Sequence, residues 1–261
     1  MNSLNKYTVV LPAAGVGSRM QAAVAKQYLL LNAKPVIEHC IEQLLRHDAI
    51  ERVIVALHPN DKHFQMLACA NDPRVHTVVG GKDRVDSVLA GLKAYADIAN
   101  AATDSPHGVL VHDAARPCIT HQEIEQLLMH YESLVRLEEE KPADTAEANF
   151  GAILATPVVD TIKMAQAHDI SLRSTSAIEK TIDRNLLWQA QTPQIFPLHA
   201  LINAIETGLK NNRVITDEAS AMEYLGATVQ LVEGRSSNIK ITRPCDLSLA
   251  EFYLNYNNKE T

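Results

Sequence analysis

Five stretches of the chain are apolar almost without a break: 7–12 (YTVVLP), 52–57 (RVIVAL), 75–79 (VHTVV), 108–115 (GVLVHDAA) and 151–157 (GAILATP). Unbroken β-branched runs of this length mark strands covered on both faces, whereas a half-exposed strand would alternate. Between them the period lengthens. PVIEHCIEQLLRH (35–47) sets Val36, Ile37, Cys40, Ile41, Leu44 and Leu45 on one helical stripe, with Pro35 suited to the first helical position. THQEIEQLLMHY (120–131) opens with a capping box, Thr120 and Glu123, and repeats Ile124, Leu127, Leu128 and Tyr131 at helical spacing. Further on come PLHALINAIETGL, TDEASAMEYLG, a strand ATVQLVEG and a closing helix from Pro244. Alternating strands and helices predict an α/β fold with a mostly parallel, doubly wound, Rossmann-like sheet joined by right-handed crossovers.

Two segments break this rhythm. Residues 138–149 hold five acids against one lysine and almost no apolar bulk, which reads as a solvated loop. Residues 157–184 lack a helical stripe and read as two strands, roughly 159–165 and 174–182, joined by a polar turn. A lone hairpin cannot bury both its faces, so this one must pack on something. No repeat or low-complexity tract interrupts the 261 residues, a length that suits one large domain or two small ones.

Composition narrows the possibilities. Apolar residues make up 46% and charged ones 21%, ordinary for a globular protein, and the net charge of -7 argues against a broad nucleic-acid surface. Cys40, Cys69, Cys118 and Cys245 are far apart, with no metal-binding or disulfide spacing. The start, MNSLNKY, lacks the apolar stretch of a signal peptide, and no run is long enough to span a bilayer. The expectation is a reduced, cytoplasmic protein with no membrane or nucleic-acid partner.

The first strand runs directly into LPAAGVGSRM, with glycines at 15 and 17, Arg19, and Lys26 shortly after. A dinucleotide-binding turn needs a third glycine where Met20 stands, and its acidic partner, at the spacing of Glu38, would fall inside the first helix. The P-loop pattern is absent. A glycine turn after a strand is also a plain tight connection. What suggests a phosphate is the pair Arg19 and Lys26, both able to project back over the loop, although exposed cations are commonly just solvated.

Seven motifs in order bear on this choice: PAAGVGSRM…AKQY, GGKDRVDSVLAGL, LVHDAARP, TPVVDTIK, DRNLLWQAQTPQIF, TDEASAMEYLG and VEGRSSNIKITRPCDLSLAEFYL. Together they closely resemble the 2-C-methyl-D-erythritol 4-phosphate cytidylyltransferases, nucleotidyltransferases of the non-mevalonate isoprenoid pathway, from about Tyr7 to Leu254. The resemblance implies CMP transfer from CTP to a sugar-alcohol phosphate with release of pyrophosphate, a magnesium ion, and a homodimer joined by a protruding β-arm at 157–184 on a single domain spanning 1–261.

It also implies roles for residues. Loop amides at Ala13, Ala14, Gly15 and Gly17 approach phosphate, Arg19 holds the triphosphate and Lys26 neutralises the α-phosphate in the transition state. Gly80 and Gly81 offer backbone to the cytosine edge, with Ser87 adding a hydroxyl and Lys82 standing where relatives often carry an acid. Asp113 faces the acceptor's hydroxyls, the ribose or magnesium, which the CTP phosphates mainly hold. Arg184 and Lys240, with Thr161, Thr192 and Thr216, receive the acceptor's own phosphate. His112 reads as packing, Arg84 as a tie between loops, Arg116 as an ion-pair partner and Trp188 as core. The rival readings are a ribitol 5-phosphate cytidylyltransferase and a non-catalytic nucleotide-binding regulator on the same fold.

Overall fold

The computed structural model describes residues 5–15, 25–99, 108–141, 149–166 and 176–260. The chain runs β1 (Tyr7–Ala13), a tiny hairpin of β2 (Leu30–Leu31) and β3 (Lys34–Pro35), α1 (Val36–Leu45), β4 (Ile50–Leu57), β5 (Val75–Val79), α2 (Arg84–Ala99), β6 (Gly108–Val111) and α3 (His121–Glu139). It continues through β7 (Phe150–Pro157), β8 (Ile162–Ala165), β9 (Ile178–Ile182), β10 (Trp188–Pro197), α4 (Leu198–Lys210), α5 (Glu218–Tyr224), β11 (Thr228–Glu233) and α6 (Pro244–Glu260).

Seven strands form one sheet in the order β11-β7-β10-β6-β1-β4-β5. β1 pairs in parallel with β4 and β6, β4 with β5, and β7 with β11; β10 alone runs antiparallel, between β6 and β7. Val9 and Leu11 pack with Ile37, Ile41, Ile124 and Leu127 of α1 and α3 on one face. Val10, between them in sequence, packs on the other face with Val88 and Leu92 of α2 and Leu201 of α4. Cores on both faces are why β1 is continuously apolar. From β1 the chain first builds outward through β4 and β5, then returns to β6 on β1's other side. That reversal opens a crevice at the carboxyl ends of β1 and β6, the place where such sheets hold ligands.

Several boundaries differ from the sequence reading. Pro35 ends β3 and stands one residue before α1 rather than inside it. β6 stops at Val111, so Asp113 lies in the following turn, closed by the Arg116 N–H donating to the Asp113 carbonyl at 3.0 Å. Glu138 and Glu139 belong to α3, while 142–148 of the acidic segment fall outside the described residues. β10 and α2 were not anticipated. β10 carries Pro193 and Pro197 in a central strand, where proline forfeits a ladder donor, and its pairing with β7 is irregular between Ala190 and Gln194.

The hairpin at 157–184 is present in shortened form: β8 and β9 pair antiparallel as a sheet of their own. Part of its connecting turn, 167–175, lies outside the described residues. The hairpin springs from a narrow base, where the Val158 N–H donates to the Leu187 carbonyl at 3.0 Å. Val159, Ile178 and Leu186 are 76%, 59% and 85% exposed there, far from core values.

Candidate active site

Three loops converge at the crevice. The first is the end of β1, where Ala13, Ala14 and Gly15 line a cleft together with Lys26 from a short 3-10 turn at Lys26–Tyr28. The second is the loop between β5 and α2, which contributes Gly81 and Lys82, with Ser87 from the first turn of α2. The third brings Asp113 from the turn after β6 and Lys240 from the segment before α6. Gly80 sits just beneath: a Cβ there would stand 2.7 Å from the Ala14 Cβ and 2.9 Å from the Ser87 hydroxyl. Glycine is thus what allows the first two loops to touch. Gly17 and Arg19 lie outside the described residues.

The Ser87 hydroxyl is partly committed. It accepts the Gly81 N–H at 3.1 Å and donates its one proton to the Asp83 carbonyl at 3.2 Å. A hydroxyl has two lone pairs, so Ser87 keeps the capacity to accept one further hydrogen bond but has no proton left to offer.

Asp113 is the electrostatic centre. Its Oδ1 accepts Arg84 Nε at 2.9 Å, and its Oδ2 lies 2.7 Å from Lys240 Nζ and 3.8 Å from Arg116 Nε. Burial alone would raise its pKa, but Arg84 and then Lys240 outweigh that and hold the carboxyl well below the ordinary carboxylate range. Arg84 is shared: Nη1 and Nη2 fork onto the two oxygens of buried Glu218 at 2.6 and 3.1 Å. It therefore ties α2, the β6 turn and the start of α5 together, as the sequence reading expected of a loop tie. Arg116 is an ion-pair partner of Asp113 and also donates to the Asn238 carbonyl at 2.6 Å.

Below Asp113 lies a neutral histidine. His112 is fully buried, with Nε2 3.1 Å from the Arg116 carbonyl and Nδ1 3.1 Å from the Thr192 hydroxyl. A carbonyl can only accept, so Nε2 carries the proton and Nδ1 accepts from Thr192. Burial lowers this imidazole to about 4. The same Thr192 oxygen accepts the Asp113 N–H at 3.0 Å. Thr192 is 4% exposed and its hydroxyl is engaged below the cleft. Through that contact it braces the Asp113 backbone.

The other acceptor residues are dispersed in a single chain. Thr161 is exposed beside β8, and Arg184 opens the short turn after β9, where its guanidinium donates to the Val159 carbonyl. Thr216 is exposed just before the Asp217 cap of α5. Trp188 is 37% exposed at the arm's base rather than core. Sequence reasoning missed Gln27, Glu218 and Asn238. Glu218 and Asn238 meet their partners across 134 and 46 positions of chain, separations that no local pattern reveals.

An open α/β sheet that presents a glycine turn, lysines and a cation-flanked carboxylate at its switch point has the site of a nucleotidyltransferase. A family model described as 2-C-methyl-D-erythritol 4-phosphate cytidylyltransferase matches residues 7–256. Similar relatives bearing that name come from Aliivibrio fischeri (47% identical, covering 97% of this chain and 96% of the relative) and Yersinia pseudotuberculosis (47% identical, covering 97% and 93%). A crystal structure of a 4-diphosphocytidyl-2C-methyl-D-erythritol synthase superposes with a TM-score of 0.73 at 33% identity, covering 96% of this chain and 99% of that one. The chain belongs to the 2-C-methyl-D-erythritol 4-phosphate cytidylyltransferase family and is a nucleotidyltransferase enzyme.

Proposed function

We propose that the enzyme transfers CMP from CTP to 2-C-methyl-D-erythritol 4-phosphate, giving 4-diphosphocytidyl-2-C-methyl-D-erythritol and pyrophosphate for isoprenoid precursor synthesis in the cytoplasm. The observation that carries the site assignment is the convergence of Lys26, the 81–83 loop, Asp113 and Lys240 on one cleft. An oxygen of the acceptor phosphate attacks the α-phosphorus of CTP, and the bond from that phosphorus to the bridging oxygen of the β-phosphate breaks as pyrophosphate leaves. The nucleophile is already anionic, so positioning and charge stabilisation do the catalysis. Ala13, Ala14, Gly15, Gly17 and Arg19 hold the triphosphate, and Lys26 meets the charge that grows on the α-phosphate. Gly80, Gly81, Lys82 and Ser87 face the base. The remaining lone pair of Ser87 suits a donor such as the cytosine amino group, which uracil lacks. Lys240 and Asp113 turn to the acceptor.

Magnesium fits this site as a companion of the nucleotide. Among the described residues no group of three or more His, Cys, Asp or Glu side chains could hold a metal ion. Of the two aspartates that line the cleft, Asp83 and Asp113, the second is already bound by Arg84 and Lys240. The phosphate oxygens would thus hold the ion, with Asp113 nearby, and when bound it neutralises their charge.

The exposed apolar residues of the arm support a homodimer in which arms exchange across a two-fold axis, placing Arg184 and Thr161 at the partner's acceptor phosphate. The direct assay is pyrophosphate release. CTP with 2-C-methyl-D-erythritol 4-phosphate should be turned over with a far higher kcat/KM than ribitol 5-phosphate as acceptor, or than UTP or ATP as donor. Equal turnover of ribitol 5-phosphate would overturn the acceptor, and equal use of ATP the base pocket.

A further inference from the structure

Gln27 follows Lys26 directly in the short 3-10 turn and is 4% exposed. Its Nε2 donates to the Ala13 carbonyl at 2.8 Å and to the Gly15 carbonyl at 3.2 Å. An amide nitrogen has two protons, and both are spent on carbonyls of one three-residue turn. A loop that is to hold anionic phosphate must offer N–H groups and keep its carbonyl oxygens away, because a carbonyl dipole facing a phosphate repels it. Residue 28 anchors the same segment from the other end: the Tyr28 hydroxyl donates to Asp61 Oδ2 at 2.7 Å, and the Tyr28 N–H to the Ala25 carbonyl at 2.9 Å. Lys26 and the turn at 13–15 are thereby joined into one rigid piece through a single buried side chain.

We infer that Gln27 is a positioning residue for the nucleotide: by holding the Ala13 and Gly15 carbonyls it shapes the turn for the triphosphate and sets its distance from Lys26. The inference rests on the reading that CTP phosphates lie against 13–15. No charge on Gln27 enters the reaction, and it need not touch either substrate.

Two substitutions separate this role from a general structural one. Gln27→Met keeps the volume and removes both donors. Gln27→Glu sets a carboxylate against two carbonyl oxygens at neutral pH, and when protonated gives one donor back. Gln27→Met should weaken CTP binding by about tenfold or more, as expected when a buried and a part-buried acceptor lose their partner, and lower kcat, while the acceptor KM stays within about twofold of wild type. Gln27→Glu should be worse than Gln27→Met at pH 8 and should regain CTP affinity relative to wild type as the pH falls towards 5. Where Gln27→Met does not fold, Gln27→Asn, whose amide is too short to reach, replaces it. Hydrogen exchange on the wild-type enzyme tests the underlying reading: CTP should protect the amides of Ala14 and Gly15. No protection there overturns the phosphate placement itself. Protection combined with wild-type CTP affinity in folded Gln27→Met, or equal losses for both substrates, overturns the role given to Gln27.

Discussion

Lys26 and His112 show how differently two ionisable residues of one site can act. Lys26 lines the cleft, where charge develops during transfer. Lys26→Ala should therefore lower kcat by about a hundredfold, the loss of roughly 3 kcal/mol of transition-state stabilisation, with a much smaller change in CTP affinity. Lys26→Arg should restore only part of it; steady-state kinetics with a CTP titration checks both. His112 acts on stability instead. Burial holds its pKa down to about 4 in the folded chain, against an ordinary imidazole's 6.5. Between those values the unfolded chain binds a proton that the folded one refuses, so stability rises with pH. The contribution is fully present above pH 6.5 and is lost as the pH falls towards 4, by up to about 3 kcal/mol. His112→Gln should flatten the fall in melting temperature between pH 6.5 and 4.5; an unchanged slope would contradict the burial argument.

Among the elements, α3 and the arm differ most in how they are held. The capping box of α3 is complete: the Thr120 hydroxyl accepts the Glu123 N–H, and Glu123 Oε2 accepts the Thr120 N–H at 3.0 Å. Glu123 also uses Oε1 to accept the Arg235 N–H at 2.9 Å, binding the helix start to the loop after β11. Thr120→Ala should thus destabilise the protein by about 1 kcal/mol, read from the urea midpoint at constant slope. Among its described residues the arm has no comparable attachment to the body. Joining Val158 to Leu187 through a short Gly-Ser linker should leave a body that melts in one cooperative transition near the wild-type temperature. It should sediment as a monomer and lose transferase activity; a dimeric, active product would remove the arm from the dimer.

At the scale of the whole molecule, the dispersal of Arg184 and Thr161 away from the cleft is explained if two chains complete each site. Lys26→Ala and Arg184→Ala homodimers should each be poorly active. Unfolded and refolded together, they should recover up to about a quarter of wild-type activity, because with random pairing half the dimers are mixed and each holds one intact site. Mixed dimers confirmed by mass, with no activity regained, would place Arg184 in its own chain's site.

The alternation of strands and helices apart from β10 and α2, the α3 cap and the two-sided burial of β1 were legible in the sequence, and the motif residues Ala13 to Gly15, Lys26, Gly81, Asp113 and Lys240 come together along one cleft. Each rests on local spacing or on a motif that lies within one loop. Only the tertiary structure decided the rest. Prolines hid β10, which takes its place in the sheet by pairing with β6 and β7 on either side. The fold brings Thr192 under Asp113 and His112, about eighty positions away, and engages its hydroxyl there. Glu218 reaches Arg84 across 134 positions, and Gln27 folds its amide back onto a turn just 14 and 12 residues earlier. Periodicity records which face of an element is apolar, whereas a polar side chain's role depends on which donor or acceptor the folded chain sets opposite it.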